Sequence, residues 1–209
     1  MATTYSKVKK SYYELGIIPE LLKLMKPRVM SLVLFTCAVG LLTAPTSVSF
    51  QQSVIGILIV AFGAGAAGAL NMWYEADLDK LMSRTCLRPI PRGKLNRNQA
   101  LYFGTSMAVV SVVSLYFVTN ALSAFLLLFT ILFYVFVYTI WLKRKTPQNI
   151  VIGGASGALP PVIGWAIATN SISLESIAFF LIIFFWTPSH FWALSLYKAD
   201  DYKKAGIPM

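Results

Sequence analysis

VIGILIVAFGAGAAGALNMW, residues 54–73, admits two readings that exclude each other. Its centre, Gly63 to Gly68, matches the dinucleotide fingerprint G-x-G-x-x-G letter for letter. That fingerprint requires a strand before it and a helix that starts at the glycines. Here the glycines lie in the middle of an apolar run of about twenty residues, the length of a helix that crosses a bilayer. The segment is therefore a membrane helix, in which Gly63, Ala67 and Gly68 let a neighbouring backbone approach closely.

The same signal recurs along the chain. Hydrophobic residues make up 57% of 209 and the mean hydropathy is +0.67. Six spans are predicted: Val29 to Ala44, Val54 to Trp73, Ala100 to Val118, Ala121 to Leu142, Ile150 to Ala168 and Leu174 to Leu196. The fold class is all-α, a polytopic transmembrane helix bundle. Cys37 falls in a span and Cys86 in a loop, which supports neither a disulfide framework nor a Cys-ligated metal. No repeat of solenoid length is present.

The charges give the bundle a direction. All 18 Lys and Arg residues fall before the first span or after the second, fourth and sixth. The opposite connections, 43–53, the turn at Asn120 and 169–173, carry no cation. Loops rich in cations stay on the cytoplasmic side, so both termini belong there, or on the matrix side of a mitochondrion. Topology and anionic lipid headgroups explain the net charge of +10, and nucleic acid is set aside as a partner. Residues 1–28 form a cytoplasmic, interfacial segment without a small-residue cleavage site. Within it, 17–25 reads as a short interfacial helix with Ile17, Ile18, Leu21, Leu22 and Met25 towards lipid and Lys23 and Lys26 at the headgroups.

The second span runs straight into NMWYEADLDKLMSRTCLRP, residues 71–89, in a chain that is only 12% charged. On a continuing helix Asn71, Glu75 and Asp79 stack within one face, able to hold a divalent cation, while Asp77 points about 200° from Glu75 and joins only if the helix frays or bends. Mg²⁺ takes oxygen ligands, often one or two carboxylates completed by substrate phosphates. Arg84 and Arg88 offer guanidinium forks to phosphate, and Lys143, Arg144 and Lys145 arrive at the same membrane face from the fourth span. Charges at a helix end are ordinarily solvated loop residues. Asn71, a polar amide inside the apolar boundary, weighs against that reading. So does a second concentration on the same side, with Pro188 and His190 inside the sixth span and Lys198, Asp200 and Asp201 at its end.

Three strings now carry a resemblance: NMWYEADLDKLMSRTCLRPIPRG, YTIWLKRKTPQNIVIGGASGALPPVIGWA and FFWTPSHFWALSLYKADDYKKAGIPM. The first resembles the signature N-x-x-x-[DE]-x-x-x-D of the UbiA superfamily of intramembrane prenyltransferases. Together they span most of 71–209 in that family's order, and are most similar to its haem-directed branch. The resemblance implies transfer of farnesyl from farnesyl diphosphate to a vinyl group of haem B, with water adding to give haem O, on the way to haem A and cytochrome oxidase. It implies Mg²⁺ as the cofactor, with haem B as a substrate, and the lipid bilayer as surroundings. Haem A synthase or oxidase assembly factors follow as partners. It places the protein in a bacterial cytoplasmic membrane, active site on the cytoplasmic side, rather than in a mitochondrial inner membrane.

Roles follow residue by residue. Asn71, Glu75 and Asp79 are assigned to catalysis through the metal, with Asp77 as an additional ligand, and Arg84, Arg88, Lys143 and Arg144 to the diphosphate. The aromatic-substrate members carry several spaced aspartates after the sixth span; this chain has His190, Lys198, Asp200 and Asp201, of which Asp200 and Asp201 are candidates for a second metal. His190, the one histidine, is either a core imidazole or a group that meets the haem or the added water. Trp186 and Trp192 either stack on the porphyrin or pack towards lipid. Gly153, Gly154 and Gly157 allow close packing, Pro160 and Pro161 bend the fifth span, and Gln148 and Asn149 stand at its cytoplasmic start, facing the cavity without a catalytic role.

The family fold has about nine helices, so the resemblance makes 1–209 a single incomplete domain with six of them. Two other functions remain open. One is a sister prenyltransferase with an aromatic or tetrapyrrole acceptor, against which RTCLRP and TPSHFWAL weigh. The other is a membrane transporter, whose path would place polar residues on both sides.

Overall fold

The computed structural model describes residues 16–197 and 199–208, without the side chains of Leu194, Asp200, Asp201 and Lys204. Lys7, Lys9, Lys10 and Lys198 of the charge map lie outside the described residues. The elements in chain order are α1 (Ile18–Leu24), α2 (Pro27–Leu42), α3 (Phe50–Tyr74), α4 (Ala76–Asp79), α5 (Arg97–Val118), α6 (Ala121–Leu132, continued as a π-helix over Phe133–Leu142), α7 (Asn149–Ala158), α8 (Pro160–Thr169), α9 (Leu174–Tyr197) and α10 (Ala199–Lys204). Five helical segments are long and apolar enough to cross a membrane, or six if α1 and α2, bent by 56° between them, count as one. The protein is thus an all-helical integral membrane bundle.

Local chemistry sets the helix starts. The hydroxyl of Ser49 accepts from the Gln52 N–H, Asn96 and Gln99 form a capping box, and Asn120 accepts from the Ser123 N–H. Asn120 also donates to the Ala166 carbonyl at 2.7 Å, which ties the α5–α6 turn to α8. Pro160 takes the first position of α8, where its missing N–H costs nothing, and α7 and α8 together form one span, with Leu159 at their junction in a helical conformation.

The hairpin-connected spans lie beside α3, which touches α1, α2, α5, α6 and α8. Small residues make this possible. A Cβ on Gly63 would stand 2.9 Å from the Leu127 side chain, and one on Gly68 3.4 Å from the Leu24 carbonyl. The tightest approach is one the sequence did not single out. A Cβ on Gly40 of α2 would collide with the backbone carbonyl of Pro161, and one on Gly164 of α8 with that of Cys37. Gly153 and Gly154 lie against Tyr138 and Thr187, whereas Gly157, expected in the packing, faces open space.

The interfacial helix forms, but one of its cations goes elsewhere. Lys23 is exposed and paired with Glu20, as a headgroup residue would be. Lys26, assigned to the headgroups, occupies the break before Pro27 in a left-handed conformation, φ 56°, and its side chain turns inward to α3. Met25 likewise packs on Gly65 rather than facing lipid.

These contacts set an expectation. Gly40→Ala forces α2 and α8 apart and should cost about 1–3 kcal/mol of stability in detergent, as overpacking does. Gly157→Ala, on a helix with room for a methyl, should leave stability unchanged or raise it by up to about 1 kcal/mol. Thermal or denaturant unfolding of the two variants checks the contrast.

Candidate active site

The acidic segment follows the end of α3 directly. Glu75, at φ −90° and ψ 10°, leaves the regular helix, yet its N–H still donates to the Asn71 carbonyl at 3.0 Å and the Asp79 N–H to the Glu75 carbonyl at 2.8 Å. The four-residue spacing therefore carries across the junction into α4. Asn71, Glu75 and Asp79 are each 2% exposed, while the Asp77 side chain is 55% exposed. A carboxylate removed from water needs a partner, and each buried group has one.

Lys143 Nζ stands 2.6 Å from both carboxylate oxygens of Glu75 and donates to Oε2. Arg88 Nη1 lies 2.8 Å from both oxygens of Asp79, and the Thr85 hydroxyl donates to the Asp79 carbonyl at 3.0 Å. Burial raises the Asp79 carboxyl above the ordinary carboxylate range, with Arg88 pulling the other way. Asn71 accepts from Lys26 Nζ at 2.7 Å and donates to the Thr139 hydroxyl at 3.1 Å. Asp77 meets Arg144 at 3.1 Å on the outer side; its slight burial is outweighed by Arg144, which holds its carboxyl below the usual range.

The π-helix delivers the opposing cation. In it groups five apart, rather than four, fall in line. The Lys143 N–H donates to the Tyr138 carbonyl at 3.0 Å, and the Thr139 hydroxyl to the Tyr134 carbonyl at 2.9 Å, both five-residue steps. Lys143 Nζ sits 5.7 Å from the centre of the Tyr138 ring, and Lys26 Nζ 5.9 Å from that of Tyr134.

Glu75, Asp79, Arg84, Arg88, Lys143 and Asn149 share one cavity, lined further by Tyr138, Phe191 and Tyr202. Leu78, Met82, Tyr202, Ala205 and Ile207 pack together and close the C-terminal segment over it. Of the assigned residues, the cavity thus gathers Glu75, Asp79, Arg84, Arg88 and Lys143. Asn71 is not among its lining residues and lies one turn back along α3, held by Lys26 and Thr139. Arg144 points instead to Asp77 and the Tyr74 ring. His190 is exposed, stacked on Trp186 with ring centres 4.4 Å apart, and does not line the cavity. The side chains of Asp200 and Asp201 lie outside the described residues.

Among the described residues no group of three or more His, Cys, Asp and Glu is gathered to hold a metal unaided. The donor set nonetheless fits a hard cation that shares its shell with phosphates and water. Glu75 and Asp79 bring two carboxylates to one cavity, and one or two suffice for Mg²⁺ when a substrate supplies the rest. Lys26, Thr139, Tyr138 and Tyr202 were not singled out as site residues. The sequence signal for Lys26 is its place directly before Pro27, and for Tyr138 the five-residue step to Lys143.

Buried acid–base pairs thus surround one cavity of a membrane-helix bundle, at the end where the second, fourth and sixth spans finish. The chain belongs to the UbiA prenyltransferase family, whose model matches residues 32–209. Its relatives include a protoheme IX farnesyltransferase of Pelagibacter ubique, 78% identical over 190 residues, which are 91% of this chain and 63% of that protein. Others are protoheme IX farnesyltransferase 2 of Mesorhizobium japonicum, 62% identical over 89% of this chain and 59% of that one, and the protoheme IX farnesyltransferase of Azorhizobium caulinodans, 60% identical over 93% and 64%. The chain spans about three fifths of the length of these relatives. In structure it is similar to a UbiA homolog from Archaeoglobus fulgidus bound to DMAPP and Mg²⁺, with a TM-score of 0.75 and 20% identity over 90% of this chain and 67% of that one. The same homolog bound to GPP and Mg²⁺ gives 0.75 at 21% identity, over 90% and 66%. At such identity the likeness is one of fold.

Buried and exposed carboxylate pairs should respond differently. Lys143→Met strands the Glu75 carboxylate and should cost about 3–5 kcal/mol, the range for breaking a buried pair. Asp77→Asn, on the exposed pair, should change stability by less than about 1 kcal/mol. Unfolding of both variants in one detergent measures the difference.

Proposed function

We propose that this chain forms the diphosphate-binding part of a protohaem IX farnesyltransferase, which moves farnesyl from farnesyl diphosphate to a vinyl group of haem B and so makes haem O. The observation that carries the reading is the cavity in which Arg84, Arg88 and Lys143 stand with buried Glu75 and Asp79. The 78% identity with the Pelagibacter relative supports the choice of acceptor.

Three cations against two carboxylates leave the cavity one positive charge in surplus, suited to a diphosphate. Arg84, Arg88 and Lys143 bind its oxygens, Arg88 through its planar fork and Lys143 as a point charge. Glu75 and Asp79 would hold Mg²⁺, with Asn71 one turn behind fixing their helix and Asp77 a further ligand should α4 bend. The chemistry a bound Mg²⁺ supplies there is neutralisation of the charge that develops on the departing diphosphate. Tyr138 and Phe191 line the cavity with aromatic surface that keeps water from the allylic cation. Arg144 steadies the junction from outside through Asp77. His190, stacked on Trp186 and outside this cavity, would meet the haem rather than the diphosphate, and Asp200 and Asp201 remain candidates for a second metal. The site then faces the cytoplasm of a bacterium, in reach of haem A synthase or oxidase assembly factors. The ion pairs of Glu75, Asp77 and Asp79 lie at one membrane end, which favours an enzyme over a transporter.

Membranes with the protein expressed from its complete reading frame test the proposal. Given haem B, farnesyl diphosphate and Mg²⁺, they should form haem O, and Asp79→Ala or Glu75→Gln should lower the rate by about 100-fold or more, as loss of a charge-stabilising group does. Prenylation of 4-hydroxybenzoate without haem O would select the sister prenyltransferase, and Asp79→Ala with full activity would reject the site.

A further inference from the structure

Asn149 opens α7 at the same membrane end and is 1% exposed. Its Nδ2 donates to two backbone carbonyls, Thr146 at 2.6 Å and Pro208 at 3.2 Å. Two carbonyl acceptors settle which way the amide faces, because turning it over would set oxygen against oxygen. Oδ1 is therefore committed to the other side, where it has no hydrogen-bond partner among the described groups. Asn149 lines the cavity that holds Glu75, whose two carboxylate oxygens both stand 2.6 Å from Lys143 Nζ. A buried acceptor left unsatisfied is costly, so Asn149 Oδ1 calls for a donor from the cavity.

We infer that Asn149 is a positioning residue for the metal, its Oδ1 accepting from a water in the shell of a divalent cation held at Glu75. This rests on the proposed function, which places a hydrated cation beside that carboxylate. Mg²⁺ dehydrates reluctantly and keeps several waters, each a donor that needs an acceptor. Lys143 and Arg88 have no acceptor to offer, so such a water turns to the carboxylates or to a neutral oxygen. Asn149 supplies a neutral acceptor from another helix. It also anchors the C-terminal segment through the Pro208 carbonyl, so the shell of the cation and the closure of residues 202–208 over the cavity share one side chain.

Mn²⁺ binding to the detergent-solubilised protein, expressed from its complete reading frame, in the presence of inorganic diphosphate tests this, with free Mn²⁺ counted by electron paramagnetic resonance. Asn149→Ala should weaken Mn²⁺ binding by about 10-fold or more, the usual effect of losing an outer-shell partner. Asn149→Asp loses both donors to the carbonyls but keeps an oxygen towards the cavity, and should bind Mn²⁺ at least as tightly as the wild type. An anchor alone would lower the metal-free melting temperature of both variants and leave their Mn²⁺ affinity equal to that of the wild type, which overturns the inference. Equal weakening in both variants overturns it as well. If the wild type takes up no Mn²⁺ saturably, the metal–diphosphate reading fails, and the role of Asn149 with it; wild-type binding with an unaffected Asn149→Ala removes only Asn149.

Discussion

A carboxylate buried at the end of a membrane helix has to be met by a cation, and the ion pair of Glu75 with Lys143 is where this bundle meets that demand. The two residues come from different spans, α3 and the end of the π-helix, and both ends must arrive at the same depth. Gly153 contributes by leaving room for the Tyr138 ring beside Lys143, since a Cβ there would strike the ring. Gly40 and Gly164 contribute by letting α2 and α8 touch through their backbones, which fixes the bundle around α3. Packing deep in the bundle and charge at its edge are thus parts of one arrangement.

Much of this was legible in the residues. Hydropathy located the spans, because only helices that satisfy their own backbone can run through lipid. The cation map gathered the charged residues at one end of the spans, and the ion pairs of Glu75, Asp77 and Asp79 lie together at the ends of α3 and the π-helix. The four-residue spacing placed Asn71, Glu75 and Asp79 on one buried face and Asp77 outside it, since that geometry is local to one helix.

The rest depended on contacts between elements. Lys143 and Arg144 are adjacent and so point in different directions; nothing local says which of them reaches the cavity and which reaches Asp77. The hydropathy of the fourth span does not distinguish a π-helix from an α-helix, and the π-helix brings the five-residue pairs Tyr138 with Lys143 and Tyr134 with Thr139 into line. Lys26 turns inward because the chain breaks before Pro27, which a count of headgroup cations does not register. His190 sits on an exposed face of α9, a position that its burial in the span pattern did not foretell. Asn149 was legible as a residue facing the cavity, which it lines, but its unmet acceptor appears only in the fold.

On the proposed function, the charges at the end of α3 form a metal-assisted diphosphate site. Binding of the unreactive analogue farnesyl thiodiphosphate, measured by calorimetry with and without Mg²⁺, tests it most directly. The affinity should rise as Mg²⁺ is added, fall away with EDTA, and lose its response to Mg²⁺ in Glu75→Gln. Binding that is indifferent to Mg²⁺, or equally responsive in Glu75→Gln, would contradict it.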